Sequence, residues 1–201
     1  MRKALTHLRK SDPVLASIIK RVGPYQMEYR DPAFGALVRS IAYQQLSTKV
    51  AGVILNRLVN ALPKGEVTPA SILALTYEQM RAFGLSHAKT TYIRDLAERT
   101  QKGHVVFENL TNLTDEQVIE HLTQVKGIGV WTAHMFLIFA LQRPNVLPVG
   151  DLGVRAAIKK AYGLEVLPTP EEVAEIAAGW HPYCSVASWY LWRSLDGSAQ
   201  I

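Results

Sequence analysis

Helix-start signals recur along the whole chain and restrict its fold more than any other feature of the sequence. Aspartate twice precedes proline, and this pair places an N-cap before a first-turn proline. Three threonines are each followed, three residues later, by glutamine or glutamate, which is the pattern of a capping box. Apolar residues then recur at helical spacing, so the predicted fold class is all-α. The five signals are Asp12–Pro13, Asp31–Pro32, Thr76–Gln79, Thr114–Gln117 and Thr169–Glu172.

The size and composition of the chain limit how these helices can be arranged. With 201 residues, of which 48% are hydrophobic, the chain can bury a core in one domain or in two small lobes. Residues 105–107 resemble a strand, but so short a run does not predict a sheet. Proline and glycine cluster in residues 143–150, so we expect a hinge there and a second helical lobe after it.

Several classes of protein are disfavoured by the sequence. No apolar run approaches the roughly 18 residues of a membrane span, and no apolar segment follows the basic N-terminus as it would in a secretory signal. The single cysteine, Cys184, cannot form an internal disulfide or hold an iron–sulfur cluster. The six histidines lack metal-ligand spacing, so a metalloenzyme is not expected.

Basic residues are concentrated in the first half of the chain. The net charge is +5, but residues 1–103 hold 16 Lys and Arg against 7 Asp and Glu, whereas the remainder holds 6 against 10. A basic half suits a polyanionic partner, although solvated helix faces without a ligand explain the same charge equally well.

The stretch from residue 125 to residue 151 combines an anion-binding pattern with a single carboxylate. Gly127 and Gly129 let the backbone approach a ligand closely, and the helix that follows can direct its amides at a phosphate. The helix predicted over residues 130–141 is apolar on nearly every face. We therefore expect it at the centre of the packing, with its first turn forming the floor of a site.

The place of Asp151 in the sequence predicts a helix cap. It precedes an apolar helical run that contains Val154, Ala157 and Ile158, which is the position of an N-cap. The loop 147–150 delivers this single acidic residue after the anion-binding turn.

A faint internal similarity relates two turns of the chain. Residues 83–86 before one predicted helix resemble residues 125–129 before another. Two short helix-turn-helix units, each directed at a backbone phosphate, would explain this similarity. A glycine that ends a helix explains it equally well, so both interpretations stay open.

Four sequence blocks follow one another along the chain: residues 40–47 (SIAYQQLS), 84–89 (GLSHAK), 126–133 (KGIGVWTA) and 149–154 (VGDLGV). Together they resemble the helix-hairpin-helix DNA glycosylases, and most closely the 3-methyladenine DNA glycosylase II branch. A lone Gly-x-Gly is a weak signal, but four blocks in the family's order are specific. The resemblance extends over residues 12–195 and indicates the compact form, without the N-terminal mixed α/β domain of some relatives.

The resemblance implies a base-excision repair enzyme that flips a damaged base into an active-site cleft between two helical lobes. Residues 35–143 would form the central lobe with the helix-hairpin-helix, and residues 1–34 with 144–201 would form the second lobe. Asp151 would be the catalytic carboxylate in that second lobe, a role that can coexist with capping the helix that follows. It would stabilise the cationic sugar that develops as the N-glycosidic bond breaks, and orient the attacking water.

The same resemblance places Trp131, Met135 and Trp192 around the extruded base. Alkylated purines carry positive charge, which aromatic walls recognise by stacking and cation–π attraction. The alternative role of the two tryptophans is core packing. Met135 departs from the family, in which a tyrosine is expected at this position. Trp189 and Tyr190 are expected to be structural.

Trp131 also stands where relatives that cleave the DNA strand carry a nucleophilic lysine. No amine is available at that position, so the resemblance implies a monofunctional hydrolase that leaves the abasic site uncut. No cofactor is expected, although relatives hold a monovalent cation on hairpin carbonyls, here near Thr123 and Val125.

DNA contacts are implied for the hairpin and for two further segments. Leu46 would enter the gap left by the extruded nucleotide, because an apolar wedge replaces lost stacking; without the family, a buried loop leucine would be expected. The other implied contacts are Gln45, Ser86, Lys89, Lys126, Gly127, Ile128 and Gly129. The expected partner is damaged duplex DNA, bound in the nucleoid or nucleus by a monomer that is neither secreted nor attached to a membrane.

Three functions are open from the sequence. The first is a glycosylase for alkylated purines of the 3-methyladenine and 7-methylguanine type. The second is a glycosylase of the same architecture for other lesions, such as deaminated purines, and a panel of damaged oligonucleotides separates these two. The third is a noncatalytic helix-hairpin-helix DNA-binding module, in which Asp151 would be only a cap.

Overall fold

The structure is a computed structural model and describes residues 1–195. Within these residues it contains twelve α-helices, three short 3-10 helices and no β-strand, which confirms the all-α prediction. The α-helices are α1 (Arg2–Ser11), α2 (Pro13–Val22), α3 (Phe34–Tyr43), α4 (Thr48–Asn60), α5 (Pro69–Leu73), α6 (Tyr77–Ala82), α7 (His87–Gln101), α8 (Asp115–Thr123), α9 (Val130–Phe139), α10 (Leu152–Tyr162), α11 (Pro170–Ile176) and α12 (Cys184–Arg193). The 3-10 helices are Pro63–Gly65, Leu110–Asn112 and Ala177–Trp180.

Four of the five predicted helix-start signals are confirmed. In each capping box the threonine hydroxyl accepts from the third amide of its helix, and the Gln or Glu side chain accepts from the threonine amide. Asp12 caps α2 by accepting from the amide of Leu15 at 2.9 Å. The signal at Asp31 is wrong. Ala33 donates its amide to the carbonyl of Asp31 in a tight turn, so α3 begins at Phe34 with Ala33 as its N-cap.

The chain divides into two compact units. The first unit comprises Met1–Tyr29 and the chain from Leu137 onward, and the second comprises Arg30–Phe136. The boundary between Phe136 and Leu137 therefore falls within α9. The proline and glycine cluster of residues 143–150 lies beyond this boundary and belongs to the first unit. In the part of the chain that the structure describes, no helix is long and apolar enough to span a membrane.

The cluster at residues 143–150 is tied to α12 through Ser185. The hydroxyl of Ser185 donates to the carbonyl of Arg143 at 2.6 Å and accepts from the amide of Val146 at 2.9 Å. Its own amide donates to the carbonyl of Pro144 at 3.0 Å. These bonds hold the loop against a buried helix, so the loop leads into α10 from a fixed position.

Asp12 organises the core of the first unit. Its Oδ1 atom accepts the capping bond from Leu15, while its Oδ2 atom accepts from the indole N–H of Trp180 at 2.7 Å and from the hydroxyl of Tyr162. Both oxygens of this buried carboxylate therefore have partners inside the protein, as burial of a charged group requires.

Helix α7 lies at the centre of the second unit. It packs against α3, α5 and α6, and these helices bury a continuous set of aliphatic side chains. The fully buried residues of this unit include Leu37, Ile41, Leu58, Ile72, Met80, Leu85 and Ile93.

Candidate functional site

Asp151 lies immediately before α10 and is almost completely buried, with 5% of the residue exposed. Its Oδ1 atom accepts a hydrogen bond from the amide of Val154 at 2.7 Å, which makes Asp151 the N-cap of α10. The amide of Asp151 donates to the carbonyl of Pro148 at 2.9 Å, so the loop also fixes its backbone. The capping role that the sequence allowed is therefore confirmed.

The side chain of Trp192 makes a second bond to the same oxygen. Its indole N–H donates to Oδ1 of Asp151 at 2.7 Å, and the ring is buried. Bonds to a charged acceptor are shorter and stronger than bonds between neutral groups. Two donors, one from α10 and one from α12, thus converge on Oδ1 and fix the orientation of the carboxylate.

Two further residues complete this cluster, and the sequence assigned a role to neither. A Cβ atom at Gly153 would lie 3.0 Å from Cδ1 of Trp192 and 3.1 Å from Oδ1 of Asp151, so only glycine leaves these groups in place. Phe139 stacks on Trp192, with ring centroids 5.7 Å apart and planes inclined by 21°. The block 149–154 was a signal that could have pointed to Gly153, whereas Phe139 has the pattern of an ordinary core residue.

The hairpin, residues 124–129, connects α8 to α9. The amide of Val125 donates to the carbonyl of Leu122 at 3.1 Å, and the amide of Ile128 donates to the carbonyl of Val125 at 3.1 Å. The side chain of Ile128 is buried, so it anchors the hairpin in the second unit. Ile128 can therefore contact DNA only through its backbone.

The two hairpin glycines have different surroundings. Gly127 has a positive φ of 79°, and a Cβ atom there would overlap the ring of Tyr92. A Cβ atom at Gly129 would meet nothing within 4 Å. The carbonyl of Gly129 accepts from the amide of Ala133 at 3.0 Å as α9 begins. Gly127 thus fixes the hairpin on the protein, and Gly129 faces open space at the start of α9.

Two side chains hold the hairpin backbone in position. The amide group of Gln44 donates from Nε2 to the carbonyl of Gly127 at 2.9 Å. The backbone amide of Lys126 donates to Oδ2 of Asp95 at 2.9 Å, and the same oxygen pairs with Nε of Arg99 at 2.9 Å. The bond from Gln44 joins the hairpin directly to the loop after α3.

That loop, residues 44–47, presents Leu46 to solvent. Gln45 has a positive φ of 56°, and Ser47 caps α4 by accepting from the amide of Val50 at 3.4 Å. Leu46 between them is 40% exposed. The expectation of a buried loop leucine, which applied without the family resemblance, is therefore wrong.

Ser86 and Lys89 both have partners within the second unit. Ser86 caps α7 by accepting from the amide of Lys89 at 3.2 Å. Lys89 is 8% exposed, and its ammonium donates to the carbonyl of Ala42 at 2.9 Å, in the last turn of α3. Burial lowers the pKa of Lys89. The structure thus favours a positioning role for Lys89, in support of the loop after α3, over the predicted direct contact with DNA.

Trp131 and Met135 lie one helical turn apart on α9. Met135 is buried, but Trp131 is 42% exposed at the start of a helix that is otherwise largely buried. An exposed indole is available to a ligand, which core packing would prevent. Trp131 and Met135 belong to the second unit, whereas Asp151 and Trp192 belong to the first.

Other reactive or aromatic groups of interest are in the core. Cys184 is buried, and burial raises the pKa of its thiol to about 12, so it is not a nucleophile at neutral pH. Trp189 packs against Tyr25 with centroids 4.7 Å apart and against Tyr190 at 4.8 Å, in line with a structural role. Residues 1–195 hold no group of three or more His, Cys, Asp and Glu that could bind a metal ion.

The sequence matches the family model of the HhH-GPD superfamily base excision DNA repair proteins over residues 38–182. The match includes the hairpin and Asp151. The chain belongs to the HhH-GPD superfamily. Trp192 lies beyond the residues that the HhH-GPD model covers, although its indole contacts Asp151.

Individual HhH-GPD relatives are similar over nearly the whole chain. The DNA-3-methyladenine glycosylase 1 of Schizosaccharomyces pombe is 37% identical over 198 residues, which are 96% of this chain and 86% of that protein. A solved structure of the 3-methyladenine DNA glycosylase of S. pombe with abasic DNA has a TM-score of 0.86 and 37% identity, covering 94% of this chain and 95% of that one. A DNA-3-methyladenine glycosidase structure from Bacillus halodurans has a TM-score of 0.86 and 34% identity, covering 96% and 89%.

Proposed function

We propose that this HhH-GPD protein is a monofunctional DNA glycosylase that removes alkylated purines, of the 3-methyladenine and 7-methylguanine type, from duplex DNA. The carboxylate of Asp151 carries the proposal, because it is buried and two donors hold it through one oxygen before any substrate binds. The names of the relatives from S. pombe and B. halodurans support the substrate class.

The fixed carboxylate suits hydrolysis of an N-glycosidic bond. The bond between C1′ of the deoxyribose and the ring nitrogen breaks, and its electron pair leaves with the base. An alkylated purine starts with a formal positive charge and so leaves as a neutral base. Positive charge develops on the sugar, where a carboxylate that needs no reorientation stabilises it. Water then adds to C1′ and loses a proton, which Asp151 can accept, and abasic DNA and free base remain.

We infer that the reaction stops at the abasic site. By the family resemblance, Trp131 stands where strand-cleaving relatives carry a nucleophilic lysine, and an indole nitrogen does not form a Schiff base with the sugar. Incubation of the protein with damaged duplex and borohydride should therefore give no covalent adduct. A trapped adduct would show that an amine of this chain attacks the sugar, and would overturn the inference.

The DNA contacts are assigned to the hairpin and to the loop that carries Leu46. Backbone amides at the start of α9, after Gly129, would bind a phosphate. Leu46 would fill the gap in the stack, and the exposed indole of Trp131 would stack on the extruded cationic base.

Asp151→Asn tests the chemistry with little change of shape. Asparagine keeps an oxygen for the amide of Val154 and the indole of Trp192, but it removes the negative charge. Release of 3-methyladenine and 7-methylguanine from methylated duplex should fall at least about a hundredfold, the scale measured for the loss of one stabilising group. Binding of the duplex should be retained. Unchanged release would reject the proposed mechanism.

Asp12→Asn is the matched control, because Asp12 is also a buried helix N-cap that accepts from a tryptophan indole. This variant should lower the free energy of unfolding but leave the specific activity of the folded protein unchanged.

A preference of the wild type for deaminated purines would reassign the substrate. Failure of the wild type to release a base from any damaged duplex would favour the noncatalytic module.

A further inference from the structure

The first two helices hold the whole net charge of the protein. The chain has 22 Lys and Arg against 17 Asp and Glu, and residues 1–22 contribute six of these basic residues and one of the acidic ones. The rest of the chain therefore holds 16 of each sign. The six basic residues are Arg2, Lys3, Arg9, Lys10, Lys20 and Arg21, and we call them the basic surface.

Nothing among the described residues neutralises the basic surface. All six side chains are exposed, and none forms an ion pair within residues 1–195. The single acid of this segment, Asp12, is buried and bonded to Leu15, Trp180 and Tyr162. The positive charge of the six basic side chains therefore faces solvent.

Helix α1 displays its charge as a regular stripe. The pair Arg2–Lys3 recurs seven residues later as Arg9–Lys10, which corresponds to two helical turns, or about 10.5 Å, along one face. The opposite face of α1 carries the buried residues Ala4 and Leu8. Helix α2 packs against α1 and adds two more cations in its last turn.

One cation of each helix lines the same groove. Arg9 of α1 and Lys20 of α2 both line it, and its volume is about 560 Å³. The other lining residues are Leu5, Ala16, Ile19, Gly23 and Pro24. The groove thus links the basic residues of α1 with those of α2.

Helix stabilisation explains only part of this distribution. Basic residues in the last turn of a helix interact favourably with its dipole, which accounts for Arg9, Lys10 and the two cations of α2. Arg2 and Lys3, however, lie in the first turn of α1, where cations oppose the dipole. This turn contains no acidic residue, and its N-cap Met1 makes no side-chain capping bond. An external anion would remove this unfavourable interaction.

We propose that the basic surface is a second, sequence-independent contact with the backbone of duplex DNA. It lies on the first unit, whereas the hairpin belongs to the second. A duplex carries one negative charge per about 1.7 Å of its axis, so a rigid array of phosphates can meet cations that are spread over two helices. An acidic peptide seated in the groove would meet only Arg9 and Lys20.

The test variant replaces the four basic residues of α1 with glutamine, which is neutral and a good helix former. Its substitutions are Arg2→Gln/Lys3→Gln/Arg9→Gln/Lys10→Gln. The matched control is Arg57→Gln/Lys64→Gln/Lys102→Gln/Arg193→Gln. The control changes the net charge by the same amount, at exposed positions that form no ion pair among the described residues. Circular dichroism checks that both variants fold.

The readout is the Kd for an undamaged labelled duplex, measured by fluorescence anisotropy over a range of KCl concentrations. The slope of log Kd against log salt should fall by about 0.9 for each phosphate contact that is lost. The α1 variant should lose roughly two or more such contacts and bind at least about tenfold more weakly near physiological salt. The control should stay within about twofold of wild type.

An unchanged slope, or equal losses in both variants, would overturn the proposal, because the effect would then be absent or would reflect net charge alone. Phosphatidylserine vesicles and a poly-glutamate peptide serve as further probes. Loss of binding to either of them, with duplex binding intact, would assign the surface to another partner. Undamaged duplex involves no base release, so the result is independent of the test on Asp151.

Discussion

The indole of Trp192 donates a 2.7 Å hydrogen bond to Oδ1 of Asp151, a residue 41 positions earlier in the chain. The same oxygen accepts the capping bond from Val154. The orientation of the carboxylate therefore depends on α12 as well as on its own helix. We assign Trp192 as a positioning residue, because it acts through Asp151 and one of its ring faces stacks on Phe139.

Trp192→Phe should slow base release without weakening the binding of DNA. The phenyl ring can still pack on Phe139, but the donor to Asp151 is lost. A hydrogen bond to a charged group contributes about 1.5–3 kcal/mol, which corresponds to a roughly 10- to 150-fold lower single-turnover rate. Trp189→Phe is the control, since Trp189 is buried on α12 and packs on Tyr25. Equal losses in both variants would point to a general packing defect.

Gly153→Ala should also disturb the hydrogen bond between Trp192 and Asp151. The added methyl group would lie about 3 Å from both Trp192 and Asp151, so at least one of these two hydrogen-bonded groups must shift to admit it. We expect a roughly tenfold slower single-turnover release. Gly150→Ala is the neighbouring control, because a Cβ atom there meets nothing within 4 Å. A wild-type rate in the Gly153 variant would show that the bond can shift without effect.

Local features of the fold could be predicted from the sequence, because they depend on residues close together in the chain. A capping box such as Thr76 with Gln79 joins residues three apart, and Asp151 bonds an amide three residues ahead. The signal at Asp31 failed for an equally local reason, since a tight turn to Ala33 displaced the start of α3.

The missed features join distant parts of the chain. Lys89 is hydrogen-bonded to Ala42, 47 residues earlier, and no pattern around Lys89 distinguishes a buried lysine from one that contacts phosphate. The bonds of Ser185 to Arg143 and Val146 likewise join residues 42 and 39 positions apart in the chain, and no local pattern indicates them. The family resemblance indicated Trp192, but it did not indicate that its N–H is bonded to Asp151.

Leu46→Ala should impair base extrusion while leaving the fold intact. Leu46 is 40% exposed in the loop 44–47 and is not part of the buried core. Without the wedge, the gap in the stack is unfilled, and we expect kcat/KM on damaged duplex to fall roughly tenfold, while release from single-stranded DNA is unchanged. Val53→Ala is the control, because Val53 is a similarly exposed aliphatic residue, at 47%, on the adjacent α4. Equal activity of both variants would remove the role assigned to Leu46.

Gly127→Ala should destabilise the second unit. An alanine there must adopt a positive φ and also displace the ring of Tyr92. Such backbone strain alone costs about 1–3 kcal/mol. Urea unfolding should show a loss of at least this size, whereas Gly129→Ala, which adds a methyl group in open space, should change the free energy of unfolding by less than about 1 kcal/mol. Similar stabilities of the two variants would contradict the packing described for Gly127.

Lys89 should make the stability of the protein depend on alkaline pH. Burial lowers the pKa of its ammonium below 10.5, the ordinary value for lysine, so the folded protein loses this proton at a lower pH than the unfolded chain. Between the two pKa values the unfolded chain binds more protons, and the free energy of unfolding therefore rises with pH. Below that window the ammonium is charged in both states, and the cost of burying it is present in full.

Lys89→Met removes this titration and leaves every other group in place. Urea unfolding of both proteins, from pH 7 upward to the ordinary lysine pKa, should show the wild type gaining stability relative to the variant as the pH rises. The titration of the other lysines contributes equally to the stability of both proteins, so it does not affect this difference. The difference in the free energy of unfolding between Lys89→Arg and Lys89→Met should not rise with pH, since arginine keeps its charge throughout this range. A difference between wild type and Lys89→Met that stays constant with pH would mean that the ammonium is not desolvated, and that its bond to Ala42 forms in contact with water.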